Sequence, residues 1–442
     1  MALPLEGVRV LDLTSVMAGP YCNMLLGDLG ADVVKVETFP GGDTSRGFMP
    51  QIAGESYCFT VLNRNKRSLA IDLKHPEGHA IVRALALKAD IITENFRPGV
   101  MAKLGLDYAS LRPSNPSVVY ASMSGFGQTG PYAGRGGYDI VAQGMSGIMM
   151  MTGEPGGRPV KVGIAMNDIA SGVTALYAIL AAYIARLRGG SGQYLETSLL
   201  EAGLVWSQWE FGAFFGGGEI PHAMGSRHRR SAPYQAYRTQ DGYVTVGANN
   251  EKLWRAFCGE VCARPAWLHD PRYTTNALRV QHADALQSDI EAVFTQHGTA
   301  HWVERLDAAG VPGGPVYGYD EVMRDPHIAA REMVIELEHP VMGRIKTFGS
   351  PVKSTGELVS IRRPAPWLGQ HSAEVLDELG FDAIGIDRLF DASVVHDRLR
   401  KGAKPEQRLQ PRELESSSGP EPPRGTGMFG SAPTQGAKKE GP

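Results

Sequence analysis

Short apolar runs separated by amphipathic stretches set the pattern of the first two hundred residues. VRVLDLT, DVVKVE, SLAIDL, DIITENF and SVVYASMS are apolar over a few consecutive residues, which predicts strands buried on both faces. Between them, GPYCNMLLGDLGA and PEGHAIVRALALKA place apolar residues at helical spacing, and GVMAKLGL predicts a shorter helix. Strand–helix alternation of this kind requires right-handed crossovers and a parallel sheet covered by helices. The predicted fold class is therefore α/β, with a Rossmann-like layer. The longest apolar helical run, VTALYAILAAYIA, falls short of the ~20 residues needed to span a bilayer, so no membrane association is expected.

From about Tyr234 the texture changes. YQAYRTQDGYVTVGA predicts a hairpin with Asp241 and Gly242 at its turn, and EKLWRAFCGEV, ALQSDIEAVFTQ and AHWVERLDAAG predict helices of a smaller second domain. After GVPGGPV come strand-like pieces, MVIELEHP and RIKTFGSP, and a last helix, SAEVLDELGF. Beyond Val395 the chain becomes rich in Pro and Gly and poor in aliphatic residues, so residues 396–442 are expected to form a disordered tail.

Composition narrows the class of partner. With 442 residues, two domains are the default. A formal net charge of −3 argues against bulk electrostatic binding to nucleic acid or anionic membrane. The amino-terminal MALPLEGVRVLDL lacks the basic region of a signal peptide and the Arg-rich character of a transit peptide, which leads to an expected cytoplasmic location. Of the four cysteines, Cys258 and Cys262 fall on an apolar helical stripe with Leu253, Trp254, Phe257 and Val261. That is the signature of core packing, since a zinc site shows tighter pairs and further ligands.

GFGQTG, residues 125–130, follows a strand and matches the G-x-G-x-x-G fingerprint of a dinucleotide loop. That loop must open a helix on its last glycine and have an acidic partner about twenty residues on. Here Gly130 leads into Pro131, Tyr132 and AGRGG, a further loop that ends at Tyr138 and Asp139. A second loop, TGEPGGRPVKVGIAMND, delivers Asp168 directly ahead of the long apolar helix. A carboxylate there lies in the positive field of a helix end, although an ordinary N-cap would place it there too.

These segments together resemble the class III CoA-transferases, the CaiB/BaiF family. The resemblance is carried by PLEGVRVLDLTSVMAGPY, LGDLGADVVKVE, GGDTSRG, NRNKRSLAIDLKHPEG, DIITENFRPG, SGFGQTGPY, VGIAMNDIASG, PYQAYRTQDGYV and PWLGQHSAEVL, and extends to about Val395. It implies an interlocked homodimer, with a Rossmann-like large domain formed by both chain ends and a smaller α+β domain between. The corresponding boundaries are 1–215 and 331–395 for the large domain and 216–330 for the small one. It also implies that Asp168 is the nucleophile and that CoA, as a substrate and not a resident cofactor, is held by Thr38, Ile71, Lys74, Asn95, Phe96, Val100, Lys103, Leu104 and Tyr138. Lys66 and Arg67 would add to the phosphate contacts. No metal is implied.

The family also contains racemases, which pair the helix-start Asp with a His in a GHDINY-like segment. This chain has Gly137-Tyr138-Asp139-Ile140-Val141 there, and a tyrosine with an ordinary pKa near ~10 is a poor second base at neutral pH. The resemblance therefore implies acyl-CoA and carboxylic acid substrates; a racemase-like enzyme or an inactive CoA-ester-binding protein are the alternatives. GSRHRRSAPYQAY, YTTNALRV and GRIKTFGSPVK resemble the succinyl-CoA-dependent dicarboxylate branch. A second, unreacted carboxylate calls for an arginine fork, and Arg46, Arg227 and His228 with the adjoining Arg229 and Arg230 are its candidates. Gly225 is the candidate oxyanion donor, standing where some relatives have a run of glycines. Met17 stands where some relatives have glutamine.

Overall fold

The computed structural model describes residues 2–400. Six parallel strands, β1 (Arg9–Leu13), β2 (Asp32–Glu37), β3 (Lys66–Ile71), β4 (Ile91–Glu94), β5 (Val119–Ser124) and β6 (Gln193–Ser198), form the central sheet. Their spatial order is β3-β2-β1-β4-β5-β6, so β1 pairs on both sides, Val10 facing Val33 and Ile91. This is the doubly wound order, and it places a topological switch point at the carboxyl end of β1, between β1 and β4.

Alternation along the strands supplies two separate cores. On one face Val10, Val33, Ile91 and Val119 pack against Cys22 and Leu26 of α1 (Ala18–Asp28) and Ala175, Ile179 and Ala182 of a later helix. On the other, Leu11, Val34, Leu69 and Ile92 pack against Ile81 and Val82 of α2 (Pro76–Lys88). Val375, Leu376, Leu389 and Val395, from the carboxyl-terminal part, complete that second core.

Residues 232–311 contribute a third cluster around Tyr237, Trp254, Phe257, Phe294 and Trp302, which includes the buried, free thiols Cys258 and Cys262. Its sheet contains the predicted hairpin, Tyr234–Arg238 paired with Tyr243–Gly247, and a third strand, Gly313–Pro315. The turn spans residues 239–242 and closes through Thr239 and Gly242, so it is a four-residue loop and not a tight turn on Asp241 and Gly242 alone.

Two expectations need correction. The long helix, α4 (Met166–Leu187), has 22 residues and is long and apolar enough to cross a bilayer, unlike the shorter run that the pattern marks. It is built into the crossover between β5 and β6 and packs along α1. Ordered chain also continues past Val395. The strand Val395–His396 pairs antiparallel with β3, His396 stacks on Phe39 at 3.6 Å, and Arg398 pairs with Glu55 at 2.6 Å. Any tail therefore starts no earlier than 401, and residues 401–442 lie outside the described residues.

Candidate active site

At the switch point the loops after β1, β2 and β4 are tied together by polar side chains. Asp12 accepts from Thr14 N at 2.9 Å, and Asn95 grips the backbone of Ser15 twice, accepting at 2.9 Å and donating at 2.8 Å. Asp43 accepts from Ser15 Oγ and Val16 N, both at 3.0 Å, and pairs with the buried Lys35 at 2.9 Å. Val16 sits at φ +73°, a strained position for a β-branched residue, costing about 1–3 kcal/mol. The clamp of Asp43 and Asn95 offsets that strain and fixes the chain entering α1, whose N-cap position is taken by Met17.

Against this loop α4 begins. A Cβ on Gly172 would lie 2.6 Å from the Ala18 carbonyl, so only glycine lets the first turns of α4 and α1 approach this closely. Asp168, in the first turn of α4, is half-buried, and its carboxylate accepts no hydrogen bond from the described residues. Burial, and then the charge of Asp139, raise its pKa to about 7. Asp139 opens α3 (Asp139–Met145) and accepts from the N–H groups of Asn167 at 2.8 Å and Asp168 at 3.4 Å.

The Gly-rich stretch forms a loop with a closed neck. A Cβ on Gly125 would lie 2.6 Å from the Gly137 Cα, so the two backbones touch, and no helix opens at Gly130. Between this neck and Asn95 and Phe96 lies a cavity of about 150 Å³, also lined by Arg97, Arg135 and Tyr138. The Arg135 guanidinium sits over the Tyr132 ring at 4.8 Å, and neither Arg97 nor Arg135 has an ion-pair partner among the described residues.

A half-buried, unpaired carboxylate at a helix start, whose backbone N–H is bonded to Asp139, the residue after Tyr138 of an arginine-lined cleft, suits covalent chemistry on an anionic substrate. A family model for CoA-transferase family III matches residues 5–372. The chain belongs to this family. It is 38% identical over 394 residues to the mouse succinyl-CoA:glutarate CoA-transferase, covering 89% of this chain and 90% of that one. It is also 38% identical to the succinate–glutarate CoA-transferase of Agrobacterium fabrum, covering 85% and 96%. Among solved structures, a CaiB/BaiF family protein from Brucella suis superposes with a TM-score of 0.78 at 35% identity, covering 86% of this chain and 100% of that one.

For a family III CoA-transferase, several positions take on different work from that read in the sequence. Lys66 is fully buried and donates to Asp12 at 3.0 Å, Asn63 at 2.8 Å and the Pro20 carbonyl at 2.9 Å, and Arg67 is tied to Asp32, Glu374 and Glu378. Neither is free for a phosphate. Ile71 is wholly buried in the core. Asn95 spends its amide on Ser15. Arg46 makes a two-point contact with Glu37 at 2.6 and 2.8 Å and stacks on Phe59 at 3.6 Å, so it is an internal ion pair and not an open fork.

Arg227 is held by Asp284 and Gln287, Arg229 by Glu210, and Arg230 by Glu219. His228 accepts from Arg230 N and packs edge-on against Tyr234. The Gly225 N–H donates to the Gly153 carbonyl at 2.8 Å and so is not a free oxyanion donor. Thr38, Lys74 and Lys103 lie exposed at the carboxyl side of the sheet, Phe96, Val100 and Leu104 are half-buried beside them, and Tyr138 is 75% exposed at the start of α3.

Arg97, Arg135 and the capping role of Asp139 are additions that the sequence reading missed. Arg97 directly follows Asn95 and Phe96 in ENFRPG, and Arg135 lies inside AGRGG, which was the available signal.

Proposed function

We propose that the protein moves CoA from succinyl-CoA to a dicarboxylic acid, with Asp168 as the nucleophile. The observation that carries this reading is the unpaired, half-buried Asp168 carboxylate of raised basicity. Its oxygen attacks the thioester carbonyl; the C–S bond breaks and CoA leaves as a thiolate, giving a mixed succinyl–aspartyl anhydride. The thiolate then attacks the aspartyl carbonyl, releasing succinate and forming an aspartyl-CoA thioester. The acceptor carboxylate displaces the thiolate to make a second anhydride. Attack of the thiolate on the acceptor acyl carbon yields the new CoA ester and restores Asp168.

Thr38, Lys74, Phe96, Val100, Lys103, Leu104 and Tyr138 border the CoA, and Arg97 and Arg135 hold one of its phosphates. Arg97→Ala should raise KM for succinyl-CoA about ten- to hundredfold, the equivalent of a lost charge-assisted hydrogen bond, and leave KM for the free acid unchanged. Initial rates with each substrate varied in turn check this; an effect confined to the acid would move Arg97 to the acceptor's distal carboxylate. The dicarboxylate assignment rests on the named activities of the relatives. A panel of succinyl-CoA with oxalate, glutarate, mesaconate and monocarboxylic acids tests it, and preference for the monocarboxylic acids would overturn it.

Self-association completes the proposal. The helix Gln208–Gly217 is apolar in half of its positions and has no buried residue, with Trp209 77% and Phe215 79% exposed. An exposed apolar helix of this kind supports an obligate homodimer.

A further inference from the structure

We infer that Asp139 is the positioning residue that sets the direction and the basicity of the nucleophile, acting from another helix on the start of α4. This deepens the proposed function and rests on Asp168 as nucleophile.

The geometry is that of a helix cap supplied in trans. The N-cap position of α4 is Ala165, which has no side-chain acceptor; Met166 N–H donates to the Ile164 carbonyl at 3.0 Å, and the next two amides need an acceptor from elsewhere. Asp139 Oδ1 takes up the Asn167 and Asp168 amides. Its other oxygen accepts from Gln143 Nε2 at 2.6 Å, one turn along α3. Gln143, fully buried, also accepts from Val162 N at 2.8 Å and donates to the Ile164 carbonyl at 3.2 Å. Asp139 and Gln143 thus grip the whole segment leading into α4. From the opposite side Asn167 Nδ2 donates to the Leu199 carbonyl at 3.0 Å. The turn is fixed without any bond to the Asp168 carboxylate itself, which stays free to attack.

The second effect is electrostatic. A helix N-terminus normally stabilises a carboxylate and would make it a weaker nucleophile. Here the amides are given to Asp139, and a like charge lies beside Asp168. Of the helices packed on α4, α1 has no acidic residue in its first turn and brings Tyr21 near Gly172, and Glu201 of the helix Leu199–Trp206 is hydrogen-bonded to Ser198. Of these neighbours, Asp139 is the one whose charge acts on Asp168, adding to burial in favouring the protonated form. The nucleophile is therefore more basic than a surface aspartate yet ionised in good part at neutral pH, the range where a carboxylate nucleophile is most effective.

The experiment compares the pH profile of kcat/KM for the wild type, Asp139→Asn and Asp139→Ala, with adduct formation on Asp168 followed by mass spectrometry. Asp139→Asn keeps a carbonyl acceptor for the amides and removes the charge. Its acidic limb should move to lower pH by about half a unit or more, with KM for succinyl-CoA little changed. Asp139→Ala also loses the cap, and kcat should fall on the order of a hundredfold as the nucleophile loses its fixed direction. A Asp139→Asn profile that coincides with the wild type's would overturn the inference. If Asp139→Asn does not fold, Asp139→Ser, which can cap without charge, serves the same comparison and must show the same shift. Failure of the underlying reading looks different: the wild type itself would form no adduct on Asp168.

Discussion

Asp168→Asn is expected to lower the rate of CoA transfer by about ten-thousandfold or more, as loss of a covalent nucleophile does in other enzymes. The amide keeps the size of the side chain, and the cap on α4 comes from Asp139 and is untouched. Binding of CoA, which rests on other residues, should change little. Stability should move in the opposite direction to activity. The folded-state pKa of Asp168 is raised above the ordinary value of 3.8 to about 7. A carboxyl so raised gives its full stabilisation at acid pH and loses it as pH rises through the folded value. Neutral Asn has no such loss, so the variant should match or exceed the wild-type melting temperature at pH 8. Thermal unfolding and kinetics on the same preparation separate this from simple misfolding, which would lower both.

Arg46→Ala should mainly destabilise the protein, by about 3–5 kcal/mol, the usual consequence of leaving a buried charge without its partner. Burial by itself would push the Glu37 carboxyl up, and the Arg46 charge and hydrogen bonds outweigh it and hold it below its ordinary value. Glu37 also accepts from Ser68 Oγ at 2.7 Å, and Arg46 reaches the Pro366 carbonyl at 3.1 Å, so the pair joins β2, β3 and the carboxyl-terminal segment. Because the Glu37 pKa is depressed, its stabilisation is present above the ordinary value of 4.5 and is lost as pH falls. The wild type should therefore lose part of its advantage over Arg46→Ala in acid. Urea unfolding at two pH values checks this. Unchanged stability with a raised KM for the acceptor acid would return Arg46 to the substrate site.

Much of the sheet was legible because parallel strands buried on both faces read as unbroken apolar runs, as in DVVKVE and SVVYASMS. Most of α4 was legible too, from Ile169 in IASGVTALYAILAAYIARL to Leu187, but not its start at Met166, because the polar Asn167 and Asp168 read as the end of the preceding loop. The two-residue strand at Val395 was equally hidden, since its pairing with β3 is a contact across the chain that no local pattern announces.

The same limit explains the basic residues. Arg46, Lys66 and Arg67 sit in polar-looking segments, GGDTSRG and NRNKRS, and read as available cations. Their partners are distant in sequence, Lys66 with Asp12 and Arg67 with Glu374 and Glu378, so only the fold reveals that they are spent. Asp168 stood out in the sequence as a carboxylate expected directly ahead of a long helix, and the structure places it inside that helix's first turn. The hydrogen bonds from the Asn167 and Asp168 amides to Asp139, 29 residues before Asp168 in the chain, were not legible there.

The most direct test of the account is to incubate the protein with succinyl-CoA in the absence of any acceptor, quench with hydroxylamine and map the modified peptide by mass spectrometry. A hydroxamate on Asp168, within the peptide containing VGIAMND, is the expected result, with none in Asp168→Asn. An enzyme that transfers CoA while Asp168 stays unmodified, or an Asp168→Asn protein that transfers at a comparable rate, would contradict it.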